Sequence, residues 1–225
     1  VIVAVTMDYS TGVLTVNASE TIDLTPPDLF NPTKLAIADT AFGQPVVVLD
    51  DKITFEAKDT TSIRIHLTES QRFTALKNSG VPGGDTTAIF VIVGLQLMRD
   101  LARNPSEAFP PVTAVEIPDT RLPTIIGATI NYNDGRLTLH LSETGTTSMM
   151  NLSRIYICNN TGDRLMSLRG ATILSTDNEQ NKLDEQNPSI ELTEAQRVFG
   201  ILHSGTSGGD SIAIVLDFLN ASVYD

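Results

Sequence analysis

The residues most suggestive of chemistry form the motif Gly-x-Ser-x-Gly, which runs from Gly205 to Gly209 with Ser207 at its centre. In hydrolases this motif exposes a nucleophilic serine on a turn that follows a strand and precedes a helix. Here the surrounding pattern predicts the reverse order, with a helix before the motif and a strand after it. A second copy of the segment has Pro82 where Ser207 stands. We therefore expect no catalytic residue at this motif.

The three histidines and the single cysteine offer little to a metal or nucleophilic site. His66 and His140 lie on the polar side of alternating stretches, and His203 ends a helical stretch. The chain contains no His-x-x-x-His, no Cys-x-x-Cys and no glycine-rich phosphate loop. Cys158 lies in an apolar stretch typical of a strand, which favours a packed, inert thiol. The sequence predicts that the protein is not an enzyme.

Calcium is the one metal whose ligands this acidic chain could supply. Carboxylate and carboxamide side chains gather near the predicted domain boundaries, where hard oxygen ligands could stiffen an array of domains. The chain contains no Asp-x-Asp or Asp-x-Asn-x-Asp run, so charged and solvated loops are the competing interpretation. The candidate ligands are Asp100, Asn104, Asp119 and Asp225.

Four acceptor sequons favour covalent glycans as the principal modification of a secreted protein. They begin at Asn17, Asn151, Asn159 and Asn220. Asn151 and Asn159 lie in loop-like surroundings, where attachment is sterically easy. We expect at least one of the four sites to be occupied if the protein passes through a eukaryotic secretory pathway.

These candidates must be positioned by a fold that the chain specifies twice. Three segments recur in the same order, residues 6–15 as 129–138, residues 65–72 as 190–197 and residues 79–85 as 204–210. Gly12 and Gly135 are 123 positions apart, whereas Gly84 and Gly209 are 125 apart, so the copies differ by a small insertion. The repeat predicts two homologous domains, residues 1–102 and 124–225. Since the sequence begins and ends near repeat boundaries, we expect a processed subunit or a segment of a longer array of repeats.

Each copy has the pattern of a β-sandwich that contains one short helix. Alternation of apolar and polar residues, as in 63–67 and 137–142, is typical of strands with one buried face. Gly12 and Gly135 follow turn-forming residues and precede such strands, which predicts a tight hairpin at the start of each copy.

The helix of each copy is predicted by a capping box. Thr68 precedes Gln71 by three positions in the first copy, and Thr193 precedes Gln196 in the same way in the second. The apolar residues expected on the buried faces are Phe73 and Leu76 in the first helix, and Val198, Ile201 and Leu202 in the second.

Residues 103–123 separate the two copies and contain five prolines. Proline lacks the amide hydrogen that a regular sheet needs, and a high density of prolines favours an extended, stiff backbone. We predict a proline-rich extended connector.

The order of these features resembles the immunoglobulin-like repeats of large microbial surface proteins. Similar repeats occur in cyanobacterial motility-associated proteins and in protist cell-surface or flagellar-hair (mastigoneme-like) glycoproteins. The shared pattern is an alternating strand, Ser-Glu-Thr, a helix that begins Leu-Thr-Glu-x-Gln-Arg, then Gly-Gly-Asp and an apolar strand. Residues 98–105 are also similar to the Asp-x-x-Gly-Asn ending of such modules, with Arg103 at the glycine position. The resemblance implies an all-β chain of two tandem immunoglobulin-like β-sandwich domains, and it transfers no catalytic residue.

Composition excludes further classes of function. The formal net charge of −12 repels phosphate backbones and anionic lipids, so we expect neither nucleic acid nor a membrane surface as a partner. The longest apolar stretch, residues 88–95, is too short to span a bilayer, so membrane insertion is not expected either.

Two functions remain. The first is a structural subunit of an extracellular filament, flagellar hair or surface coat, which would associate with copies of itself, head to tail or laterally, through exposed strand edges. The alternative is an adhesin segment at the cell surface that binds glycan or protein through its loops, with calcium as a stiffening ion.

Overall fold

The computed structural model describes residues 1–147, 150–174 and 184–219. The chain divides into two compact units, Val1–Arg121 and Leu122–Asp225, called here the first and the second unit. Both consist mainly of strands in several antiparallel sheets, with a few short helices. The prediction of a mainly β chain is confirmed.

The first unit begins with a long hairpin and ends with two strands from the proline-rich segment. Its elements are β1 (Ile2–Asp8), β2 (Val13–Ile22), β3 (Leu35–Ala38), β4 (Pro45–Val48), β5 (Thr54–Phe55), β6 (Thr60–His66), α1 (Glu69–Lys77), β7 (Phe90–Val93), β8 (Phe109–Thr113) and β9 (Val115–Ile117). Two single-turn 3-10 helices, Pro27–Leu29 and Pro32–Lys34, precede β3.

Two sheets form the first unit, with strand orders β5-β6-β2-β1-β9 and β4-β3-β7-β8. The pairing of β1 with β9 is parallel, whereas the other pairs are antiparallel. Val5 and Leu14 of one sheet belong to the same buried apolar cluster as Ile37 and Val91 of the other. The sheets therefore share one core.

The second unit follows a similar order of elements, in which the counterparts of β2 and β6 are shorter. Its elements are β10 (Ile125–Asn131), β11 (Arg136–Leu141), β12 (Gly145–Thr146), a 3-10 turn (Leu152–Arg154), β13 (Ile155–Cys158), β14 (Arg164–Ser167), β15 (Thr172–Leu174), β16 (Asp184–Glu185), β17 (Ser189–Glu191), α2 (Glu194–Leu202) and β18 (Val215–Phe218). The sheets have strand orders β10-β11-β17-β15, β14-β13-β18 and β12-β16. Leu137, Leu139, Ile155 and Ile190 are among the residues of its core.

The two opening hairpins have the same construction. Gly12 and Gly135 adopt positive φ angles of 65° and 70° in their turns, a conformation that favours glycine. The register of the first strand shifts between Ile2 and Ala4 in β1 and between Ile125 and Gly127 in β10. The predicted hairpins are confirmed, and they place the two units in residue-by-residue correspondence.

Both capping boxes are confirmed. Thr68 accepts a hydrogen bond from the Gln71 amide at 3.3 Å, and the Gln71 side chain accepts one from the Thr68 amide at 3.0 Å. Thr193 and Gln196 exchange the same two bonds. None of the helices in the described ranges has the length and apolar character required to cross a membrane.

The predicted buried face of α2 is wrong for two of its three residues, whereas the third, Ile201, is half-buried. Val198 and Leu202 are 41% and 55% exposed, whereas Gln196 and Gly200 are buried. A side chain at Gly200 would meet the Tyr132 ring 3.0 Å from its Cβ, so the helix packs closely through its glycine. Val198 and Leu202 consequently lie on the outer side, whereas Phe199 packs against the core.

Up to Arg121 the proline-rich segment belongs to the first unit, to which it contributes β8 and β9. Residues 103–121 are called here the proline segment. Its strand β8 lies at the edge of a sheet, where a missing amide hydrogen on the outer side costs nothing. Pro110 and Pro111 fall where the pairing with β7 shifts register between Val91 and Val93. The prolines thus occupy the places that an edge strand tolerates.

Candidate functional site

The motif around Ser207 lies between α2 and β18, in the helix-before-strand order that the sequence predicts. Ser207 is exposed, and none of the described residues forms a hydrogen bond with its hydroxyl. The nearest histidine in sequence, His203, instead places Nδ1 3.6 Å from the Asp210 carboxylate. This geometry does not bring a general base to the serine.

The other titratable candidates are also engaged in the fold. His140 contacts Thr129 at 3.2 Å and Asn187 at 2.8 Å. Cys158 is buried in β13, and its burial, together with the charge of Asp217, raises the pKa of the thiol. A raised pKa keeps the thiol protonated and unreactive, in agreement with a packed side chain.

The four predicted calcium ligands do not converge in the described residues. Both carboxylate oxygens of Asp100 accept hydrogen bonds from Asn104 at 2.8 Å, one from its amide and one from its side chain. These bonds lower the pKa of Asp100. Asp119 instead pairs with Arg72 at 2.6 Å, and Asp225 lies outside the described residues. Within the described ranges, no three His, Cys, Asp or Glu side chains cluster as metal ligands would.

Two of the predicted glycosylation sites lie on closely similar turns. The Oδ1 atom of Asn151 accepts a 2.6 Å hydrogen bond from the Ser153 hydroxyl, and that of Asn159 accepts a 2.7 Å bond from the Thr161 hydroxyl. Asn17 lies inside β2, between β1 and β6. Asn220 lies outside the described residues.

The most distinctive surface of the second unit is an apolar cleft of about 600 Å³ between β10 and the end of α2 and β18. The residues that line it are Ile125, Ile126, Gly127, Ala128, Ile130, Tyr132, Ser204, Gly205, Thr206, Ala213, Ile214, Leu216 and Phe218. A second hollow of about 490 Å³ shares Ile130, Tyr132 and Thr206 with the cleft and extends to Arg197. The two hollows adjoin, and Arg197, which is paired with Glu194, lies at one end.

The corresponding place in the first unit is filled by the proline segment. There β9 pairs with β1, the counterpart of β10, and β8 pairs with β7, the counterpart of β18. In the described part of the second unit, β10 and β18 are instead edge strands. Val215 of β18 is 44% exposed, whereas its counterpart Phe90 is half-buried.

Burial changes accordingly at equivalent positions. Val5 is buried in the first unit, whereas its counterpart Ala128 is exposed. Ile89 is also buried, whereas its counterpart Ile214 is only half-buried. The cleft therefore exposes positions that an additional strand covers in the first unit.

The proline segment also supplies an acid to the first unit. Tyr9 donates its hydroxyl hydrogen to Glu116 at 2.7 Å, and the Gly80 amide donates to the same carboxylate at 3.1 Å. Burial, reinforced by Glu116, raises the pKa of Tyr9. In the second unit Tyr132 donates to the Gly200 carbonyl at 3.2 Å, and Gly205, the counterpart of Gly80, has no hydrogen-bond partner among the described residues.

A second acid of the proline segment contacts the helix. Arg72 donates two hydrogen bonds to Glu69. It also donates to the Tyr9 carbonyl at 3.0 Å and to the Asp119 carboxylate at 2.6 Å. Arg197 holds Glu194 and the Tyr132 carbonyl in the same way, at 2.7 to 2.9 Å. No described acid takes the place of Asp119 beside Arg197. Arg197 thus repeats the contacts of Arg72 with the acid of its own helix and with the tyrosine carbonyl, without a counterpart of Asp119 among the described residues.

No protein-family model matches this chain, and no curated protein is significantly similar to it. The function must therefore be inferred from the geometry of the chain itself.

The cleft was not predicted from the sequence, because the density of prolines favours a connector over paired strands. The available signal was the alternation of Val112, Ala114 and Glu116, whose side chains are buried or half-buried in the first unit. The intervening Val115 and Ile117 are 63% and 45% exposed. Because they are also apolar, the two-residue alternation of a strand is not visible in the sequence.

Proposed function

We propose that the chain is a structural segment of an extracellular glycoprotein filament, flagellar hair or surface coat. Its two units would be immunoglobulin-like β-sandwiches that associate with other copies or repeats through strand edges. The fold class, the repeat and the resemblance of the motifs support this assignment.

The observation that carries the proposal is the cleft of the second unit. An apolar surface bordered by two edge strands favours association, because an incoming strand gains backbone hydrogen bonds and buries apolar area together. Since the first unit buries a strand at the equivalent place, the cleft is suited to a β-segment more than to a small molecule.

Glycans would decorate such an assembly without blocking it. Asn151 and Asn159 are not among the residues that line the cleft, and both belong to turns. Modification there would keep the carbohydrate away from the proposed contact.

The adhesin alternative receives less support from the aromatic residues. Tyr9 and Tyr132 are hydrogen-bonded within their units, and Tyr156 lies under the Arg164 guanidinium, 5.6 Å from it. Among the described residues, the tyrosines do not form an exposed cluster for stacking on a sugar ring.

Immunogold electron microscopy of the native cells would test the proposal. Antibodies against the chain should label extracellular fibres along their whole length. Labelling confined to fibre tips would favour an adhesin, and labelling confined to the cell interior would contradict both functions.

A further inference from the structure

We propose that the cleft of the second unit binds an extended, proline-containing acidic segment of the same type as residues 106–121, supplied by another repeat. This inference deepens the proposed function, on which it rests, because it names the partner of the assembly surface. The occupant is defined by its chemistry: apolar residues spaced as Phe109, Val112 and Ala114, followed by acids spaced as Glu116 and Asp119.

The backbone groups that would receive such a segment are present in the second unit. In the first unit the Tyr9 amide donates to the Ile117 carbonyl at 3.1 Å, and the Ala114 amide donates to the Ile89 carbonyl at 3.0 Å. The counterparts of these groups are the Tyr132 amide and the Ile214 carbonyl. Neither has a backbone partner in the described part of the chain. An incoming strand would satisfy both.

The side chains of the cleft match the apolar half of the segment. In the first unit Val112 and Phe109 pack against the buried cluster, and Ala114 is itself buried. The corresponding surface of the second unit contains Ile214 and Leu216, which are half-buried. Burial of this surface would provide most of the affinity, since apolar area removed from water is the main driving force of association.

The polar groups match the acidic half. The Gly205 amide corresponds to the donor that holds Glu116 in the first unit, and Arg197 corresponds to the donor that holds Asp119. Hydrogen bonds to charged acceptors are stronger than neutral ones and fix the register of the bound strand. A segment that lacks the two acids would lose this recognition.

The test uses the complete chain and a fluorescent peptide with the sequence of residues 106–121. The first unit already holds its own copy of this segment within one polypeptide, so a free peptide competes poorly there and reports on the second unit. Anisotropy should show saturable binding at one site per chain. A peptide with Glu116→Gln and Asp119→Asn should bind about tenfold more weakly or worse.

The protein variants locate the contact. Arg197→Gln should lower the affinity of the chain for the parent peptide and leave its affinity for the Asp119→Asn peptide unchanged. Arg136→Gln is the control. It removes the same charge from the exposed side of β11 and should change neither affinity. Hydrogen exchange should slow at the Tyr132 and Gly205 amides when the peptide is added, and remain unchanged at Tyr9 and Gly80.

Absence of saturable binding, or equal affinity for the parent and the double-substituted peptide, would overturn the proposal. The proposal would also be overturned if the chain formed a dimer through the cleft and the peptide did not dissociate that dimer. A second copy of the chain would then be the occupant. These outcomes are separate from the test of the proposed function. Fibres that label along their length without peptide binding would refute only the identity of the occupant.

Discussion

Arg72 and Asp119 form an ion pair of 2.6 Å between side chains that are only 7% and 5% exposed. The pair joins the helix of the first unit to the end of the proline segment. Arg197 makes the corresponding contacts with Glu194 and with the Tyr132 carbonyl. The contact with Asp119 is the one through which Arg72 holds the proline segment in the first unit.

Asp119→Asn should destabilise the first unit by about 2 kcal/mol. Removal of one partner of a buried pair costs up to about 5 kcal/mol, but Arg72 would retain Glu69. Urea titration followed by hydrogen exchange of the β1 amides would measure the loss. Glu107→Gln, at an exposed position of the same segment, is the matched control. An effect no larger than that of the control would show that the pair contributes nothing to stability.

The two capping boxes should make equal contributions to their units. Thr68→Ala and Thr193→Ala should each lower the free energy of unfolding by about 1 kcal/mol, because each removes the acceptor of a helical amide. Serine substitutions at the same positions preserve the acceptor and should cost much less. Denaturant unfolding of the four variants would give their free energies of unfolding. Equal free energies for the alanine and serine variants would show that the capping hydrogen bonds do not stabilise the units.

The stability of the first unit should fall in alkaline solution through Tyr9. Its pKa in the folded state is raised above the ordinary value of 10.0 by burial and by Glu116. The unfolded chain therefore loses this proton first, so the stabilising contribution is complete below pH 10 and is lost as the pH rises above it.

The measurement is the slope of the free energy of unfolding against pH in this range. Tyr9→Phe removes the titrating hydroxyl, so its slope should be smaller than that of the parent chain. The comparison uses slopes alone, because the variant also loses a hydrogen bond at neutral pH. Equal slopes would exclude Tyr9 as the source of the alkaline loss.

Glycan occupancy should be higher on the turns than within the sheet. Asn151 and Asn159 belong to turns, whereas Asn17 is paired with strands on both sides. Enzymatic release of N-glycans from the native protein in heavy-oxygen water, followed by mass spectrometry, marks each occupied asparagine. Occupancy of Asn17 alone would contradict this ranking.

Local patterns in the sequence predicted the local structure well. Glycines at hairpin turns and Thr-x-x-Gln boxes act over a few residues, so the turns at Gly12 and Gly135 and the starts of α1 and α2 could be located without a tertiary structure. The buried face of α2 could not, because it depends on the close approach of Tyr132 to Gly200. That contact joins residues 68 positions apart.

The proline segment is a second case in which contacts between residues far apart in sequence determine the structure. Its prolines favour an extended backbone, but they do not indicate whether that backbone is paired. Pairing depends on distant partners such as Thr6, which lies opposite Val115, and Phe90, which lies opposite Thr113. The cleft is defined by differences in strand pairing and burial between equivalent positions of the two units, which the sequence alone does not contain.

The measurement that tests the central proposal most directly is electron microscopy of the native material, with averaging of images of any fibres. We expect a shaft with a regular repeat in which protein density lies along β10 and β18 of the second unit, with glycan density at the turns of Asn151 and Asn159. Separate beads on a flexible string, with nothing bound along these strands, would contradict the account.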